Sequence, residues 1–148
     1  LDREYFNNSE MKKTLFLSIT LLLIGFIAAC SRVDTGGVQV TAAKKWLSLI
    51  DGGHYPESWK SASSRFRASV SEKEWISSLE SARKPLGGTI GRELVHFRET
   101  TSLPGAPDGR YAVMTMESVF EHKKRAEETV TFMLDTDGTW RAAGYFIR

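Results

Sequence analysis

The chain has 148 residues, of which 41% are hydrophobic, 26% charged and 11% aromatic, the composition of a globular domain rather than of a disordered tail or a multi-span membrane protein. Twenty basic against eighteen acidic residues leave a formal charge of +2 spread along the chain, so no field of the kind that draws nucleic acid is present and no nucleic-acid partner is expected. A single cysteine excludes an internal disulfide framework and any Cys-rich metal cluster.

Residues 1–10 are polar and lack helical or strand periodicity. Met11 is read as the start of translation and residues 1–10 as an upstream artefact, the alternative being a genuine short extension. From Met11 the order is Lys12-Lys13, an apolar run from Leu15 to Phe26, then the small residues Ala28 and Ala29. That is the three-part pattern of a secretory signal over residues 11–29. A permanent span needs roughly 20 apolar residues, and this run is shorter and is interrupted by Ser18, Thr20 and Gly25.

The tetrapeptide Ile27-Ala28-Ala29-Cys30 resembles the bacterial lipobox. Small residues let an extended backbone enter a protease cleft, and only a thiol can form the thioether to diacylglycerol. Cleavage between Ala29 and Cys30 and acylation of Cys30 are therefore expected. The alternative is a buried free cysteine ending an uncleaved anchor, an odd choice in an exported chain, where a thiol meets oxidants. At about 0.8 kcal/mol per buried methylene, two or three acyl chains hold a domain on a membrane almost permanently. Ser31 rather than aspartate after the cysteine favours, by lipoprotein precedent, the outer membrane facing the periplasm in a Gram-negative envelope. Residues 30–40, with Gly36-Gly37, read as a tether, and residues 41–148 as one domain.

Thr41 is placed to cap a helix with Ala42, Ala43, Trp46, Leu47 and Ile50 at helical spacing, ended by Asp51-Gly52-Gly53. A second start is Tyr55-Pro56-Glu57, with Trp59, Ala62, Phe66 and Val70 recurring along one face. A third is Ser71-Glu72-Lys73-Glu74, a capping-box spelling, followed by Trp75, Ile76, Leu79 and Ala82 before Pro85 and Gly87-Gly88. Three N-terminal helices are expected.

The second half changes period. Residues 90–100, 110–120, 127–134 and 139–147 are β-branched or alternating and read as four strands. Their links are the Pro/Gly loop Leu103–Gly109, the segment Glu121–Arg125 with its basic run, and Asp135-Thr136-Asp137-Gly138. Short links make adjacent strands antiparallel. The expected fold is α+β, three helices packed on one face of a curved four-stranded antiparallel sheet.

The words Trp59 with Ala62 and Phe66, Pro85-Leu86-Gly87 with Arg92, Leu103-Pro104-Gly105 with Pro107-Asp108-Gly109 and Tyr111, Phe120 with Lys123, Glu128-Thr129-Val130, and Asp137-Gly138-Thr139-Trp140 with Gly144-Tyr145 resemble the bacterial family called domain of unknown function 4019. The similarity covers about residues 42 to 148. It implies a small envelope or secreted domain with a cone-shaped helix-and-sheet fold similar to nuclear transport factor 2 and the cystatins. The family has no agreed activity and supplies no catalytic residue. That architecture hosts isomerases, dehydratases and non-catalytic binding domains alike.

His54, His96 and His122 share no metal-ligand spacing, and neither a metal nor an organic cofactor is expected. Gly87-Gly88 leads into a strand rather than a helix, so it gives no phosphate loop, and no nucleophile elbow is spelled. An acid inside the cone would have its pKa raised by desolvation; Asp51 and Glu117 are the candidates, with Tyr111 or Tyr145 as donors, against the plainer reading that Glu117 faces water and the tyrosines finish the core. Trp46, Trp59, Trp75 and Trp140 are read first as filling the helix–sheet interface. The functional alternative is an apolar pocket lined by Trp59, Trp75, Tyr111 and Tyr145, with Arg92 or Arg98 as anion partner. Lys123-Lys124-Arg125 is a basic hairpin tip that would face solvent, anionic lipid or an acidic partner.

The leading reading is a lipid-anchored envelope domain that binds an envelope protein or small apolar ligand without catalysis, through the concave side of the sheet. The competing readings are a small isomerase- or hydrolase-like enzyme with a buried acid in the same cavity, and a homodimer paired through the sheet.

Overall fold

The computed structural model describes residues 37–148. The expected start, signal, lipobox and Cys30, and the first part of the tether, lie outside the described residues.

Helix α1 spans Gly37–Asp51. It begins four residues before the expected cap: Thr41 lies within the first turns, where its Oγ1 donates to the Gly37 carbonyl at 3.0 Å. The end of the expected tether is therefore helical. Val40, Ala43, Trp46, Leu47 and Ile50 are buried, a stripe at spacings of three and four that turns one face to the sheet. The chain then reverses through Gly52-Gly53, where Gly53 adopts φ +73°.

The expected second helix is two helices, α2 at Tyr55–Lys60 and α3 at Ser64–Ser69. Pro56 sits in the first turn of α2 as foreseen. The break follows from a tertiary bond: the Ser63 N–H donates to the carbonyl of Ala142 in the last strand at 2.8 Å, so it cannot continue the i→i−4 ladder. Ser63 instead starts α3, its hydroxyl accepting from the Phe66 N–H at 3.1 Å. Helix α4, Glu72–Arg83, opens on a capping box: Ser71 Oγ accepts from the Glu74 N–H at 3.3 Å and Glu74 Oε2 from the Ser71 N–H at 2.9 Å. A 3₁₀ turn at Lys84–Leu86 and Gly87, at φ +74°, carry the chain into the sheet.

Strands β1 (Thr89–Thr100), β2 (Tyr111–Phe120), β3 (Lys123–Leu134) and β4 (Trp140–Ile147) form one antiparallel sheet in the order β1-β2-β3-β4. The fold is thus α+β, with the helices against one face of the curved sheet. Strand β3 starts earlier than expected: Phe120 pairs with Lys123, so the turn is Glu121-His122 and the basic run 123–125 belongs to the strand, not to the hairpin tip. Strand β1 is an edge strand whose register with β2 shifts between Thr89 and Gly91 and between Leu94 and His96, leaving Ile90 and Val95 at irregularities.

The inner face carries Ala112, Met114 and Met116 of β2, Val130 and Phe132 of β3 and Ala142 of β4, which meet Ala43, Trp46, Leu47 and Ile50 of α1 and Trp75 and Leu79 of α4 in one core. Burial of each large apolar side chain there stabilises by about 1.5–3 kcal/mol. The indole N–H groups are satisfied inside it: Trp46 Nε1 donates to the Ser58 carbonyl at 2.8 Å and Trp75 Nε1 to Ser58 Oγ at 2.9 Å, so one buried serine orients both rings. Among the described residues no helix is long and apolar enough to cross a membrane.

Candidate functional site

At one end of the core the apolar packing gives way to charge. Asp51 ends α1, Arg83 ends α4, Thr89 opens β1, and Arg92, Ser118, Glu128 and Tyr145 lie on β1, β2, β3 and β4 in turn. They converge because Asp51 and Arg83 close their helices and Thr89 opens β1 beside inward-facing strand positions, of which Glu128 lies in the middle of β3.

Glu128 is the centre, with no exposed surface. Its Oε1 accepts from Arg83 Nη1 at 3.0 Å, Arg92 Nη2 at 3.1 Å and the Tyr145 hydroxyl at 2.5 Å. Its Oε2 accepts from Arg92 Nε at 2.5 Å and from the Ser118 hydroxyl. A carboxylate offers about four lone-pair directions, and five donors occupy them. Asp51 is the outer carboxylate: its Oδ1 accepts from Arg83 Nη2 at 2.7 Å, Thr89 Oγ1 at 2.8 Å and Arg92 Nη2 at 3.0 Å, and its Oδ2 from Arg92 Nη1 at 2.8 Å. Two guanidinium ions thus balance two carboxylates, and Arg83 also stands 4.6 Å from the centroid of the Phe120 ring. Among the described residues every buried side-chain nitrogen and oxygen has a hydrogen-bond partner, the condition under which a buried ionic network is tolerated.

The electrostatics follow from these contacts. Burial works to raise the Asp51 pKa, but the hydrogen bonds and charge of Arg92, with Thr89 and Arg83, hold it below the usual carboxylate value. Burial, the Glu128 charge and the bond to that carboxylate push the Tyr145 hydroxyl above its ordinary value. Burial alone would lower both arginines; the partners reverse it and keep them more firmly protonated than in water.

Of the residues expected to line a pocket, the structure brings Arg92 and Tyr145 together on Glu128 and sets Trp75 against the Tyr145 ring at 6.3 Å between centroids. Trp59 packs against the core and donates from Nε1 to the Val70 carbonyl at 2.8 Å. Tyr111 is elsewhere: it is buried beside the Pro/Gly loop and donates its hydroxyl to the Pro107 carbonyl at 2.8 Å. These five residues do not line one pocket. Of the candidate acids, Asp51 belongs to the network, whereas Glu117 is exposed on the outer face. The three histidines are exposed, and among the described residues no cluster of three His, Cys, Asp or Glu side chains is placed to hold a metal.

Sequence reasoning missed Glu128 as the buried acid, and Arg83 beside it. The signal was present in β3, where Ala126, Glu128, Val130 and Phe132 share one face. A carboxylate in phase with three apolar residues must be buried and must find partners.

The architecture is that of a small helix-backed meander whose chemistry-bearing side chains form a closed ionic knot. The family described as "Protein of unknown function (DUF4019)" matches residues 42–145, and the chain belongs to that family. Comparison with curated proteins gave no match, and comparison with solved structures gave none.

Proposed function

We infer that this protein is an exported, lipid-anchored envelope domain that acts by binding rather than by catalysis. The anchoring half rests on Ile27-Ala28-Ala29-Cys30 at the end of a signal-like segment. The non-catalytic half rests on one observation: the buried carboxylate of Glu128 has both oxygens engaged by two arginines and two hydroxyls. An acid–base catalyst needs a lone pair or proton within reach of substrate, and a carboxylate fully buried and fully bonded offers neither. The likeness to the cone of nuclear transport factor 2 belongs to the same reading, and helices covering the inner face of a curved sheet support it.

One observation favours the enzyme reading: a desolvated carboxylate does face a tyrosine. That reading requires Glu128 to exchange at least one donor for substrate, against the ionic lattice that holds it.

The test is metabolic labelling of the full chain with an alkyne fatty acid in a bacterial host. Label on the peptide beginning at Cys30, and its loss in Cys30→Ser, is expected; label that persists in Cys30→Ser overturns the anchor. Release of Glu128 from its partners on addition of a compound that is then turned over would overturn the non-catalytic half.

A further inference from the structure

A cleft of about 680 Å³ lies between α1, the α2–α3 junction and the β3–β4 turn, away from the ionic knot. Its apolar side is Leu49, Trp46, Phe132 and Trp140, of which Leu49 and Trp140 are only half-buried. Lys45, Lys60, Arg67 and Arg141 supply its cations, Asp135 and Asp137 its carboxylates. The two acids are already engaged. Asp137 chelates Arg141 at 2.7 and 2.6 Å. Asp135 accepts from the Ser64 N–H at 3.1 Å, the Ser64 hydroxyl at 3.0 Å and the Thr136 N–H at 2.9 Å.

Lys45, Lys60 and Arg67 are different. All three are exposed, and none has a carboxylate within ion-pair distance among the described residues. Arg67 is nevertheless positioned, because its Nη1 donates to the Lys60 carbonyl at 2.5 Å, and among the described residues its other N–H groups have no acceptor. The cleft thus combines an aromatic and aliphatic floor with three rim cations that have no carboxylate partner among the described residues, the arrangement that takes a ligand with an apolar body and an anionic head.

We propose that this cleft binds a small organic anion, a carboxylate or comparable monoanion carried on an aromatic or acyl body, with the body over Trp140 and Leu49 and the head between Lys60 and Arg67. The proposal rests on the binding reading above and names the chemical class of ligand for it. It differs from the concave-face pocket that the sequence suggested, because α1 and α4 already fill that face.

The experiment is photolabelling of the full chain with 4-benzoylbenzoate, an aromatic carboxylate, beside uncharged 4-methylbenzophenone, with the modified peptides mapped by mass spectrometry. Saturable labelling by the anion within residues 42–49, 60–67 or 135–141 is expected, with weaker labelling by the neutral analogue. Lys60→Glu with Arg67→Glu should raise the half-saturating concentration about tenfold, the scale of a lost charge-assisted hydrogen bond. Both positions are exposed, and the far-ultraviolet circular dichroism of the variant confirms folding. Labelling that maps to the outer sheet face, that is equal for both probes, or that is unchanged in the double variant overturns the cleft. Intact mass of the same preparation reads acylation of Cys30 separately, so a failed cleft and a failed anchor leave different signatures.

Discussion

The Tyr145 hydroxyl donates to Glu128 Oε1 at 2.5 Å, while the same tyrosine's ring packs edge-on to Trp46 and Trp75 at 6.0 and 6.3 Å. One side chain therefore joins the apolar core to the ionic knot. Tyr145→Phe keeps the ring and removes the donor, and the expected loss is about 1.5–3 kcal/mol, the range for hydrogen bonds to charged groups. Glu128→Gln keeps the shape and leaves two arginines facing Asp51 alone, for a larger loss of about 3–5 kcal/mol. Urea denaturation followed by tryptophan fluorescence ranks the two; equal stability of both variants and the parent would remove the knot from the account of the fold.

The acid limb of stability should be carried in part by Asp51. Its folded pKa lies below its unfolded value, near 3.9, so its contribution is present above that pH and is lost as pH falls through the folded value. Asp135 behaves alike, held low by the Ser64 and Thr136 N–H groups against partial desolvation, with help from Arg141. Asp51→Asn lowers stability at neutral pH by removing the partner of two arginines. It should also flatten the dependence of unfolding free energy on pH below about 4. An unchanged slope would mean that the carboxylate titrates as in the unfolded chain.

How much of this was legible beforehand differs by element. The strands and the third expected helix were written locally, in alternation and in the Ser71-to-Glu74 capping box. The break between α2 and α3 was not, because the periodicity of Trp59, Ala62, Phe66 and Val70 runs unbroken through it. What cuts the helix is the Ser63 N–H bonding Ala142, a partner far away in sequence. The β2–β3 turn is similar: Glu121-His122 has none of the usual hairpin chemistry. Its N–H groups bond the carbonyls of Gly88 at 3.0 Å and Leu86 at 2.9 Å. Tertiary contacts set both boundaries. Glu128 was readable from the phase of β3, but Arg83, a basic residue in the last turn of a helix, looks like any cation at a helix end.

Trp75 is 6% exposed and touches Trp46, Phe66 and Tyr145. Trp75→Ala should cost about 3–5 kcal/mol, as truncation of a large buried aromatic does, and should release Ser58 Oγ from its indole partner. Thermal melting checks this; an unshifted midpoint would place the ring outside the core.

Gly87 sits at φ +74°, and a Cβ there would lie 2.6 Å from Glu121 Oε2 and 2.9 Å from Glu121 Cβ. That carboxylate also accepts the Gly88 N–H at 2.8 Å. At ψ −163° this is backbone that essentially only glycine adopts, so Gly87→Ala meets both a conformational penalty of about 1–3 kcal/mol and a collision with the turn it supports. Gly138, at φ +78° with open space around it, carries a positive-φ cost without any collision. Denaturation midpoints should fall further for Gly87→Ala than for Gly138→Ala, and the reverse order would refute the close approach.

The irregular register of β1 bears on how copies of this domain meet. Ile90 and Val95 are 68% and 46% exposed, and on a straight outermost strand they would invite a neighbouring chain to extend the sheet through its backbone. Each coincides with a register shift against β2, which spoils the even spacing of outward amide and carbonyl groups that a docking strand would need as a template. However crowded such molecules become, they are guarded along this rim against fusing into continuous sheets.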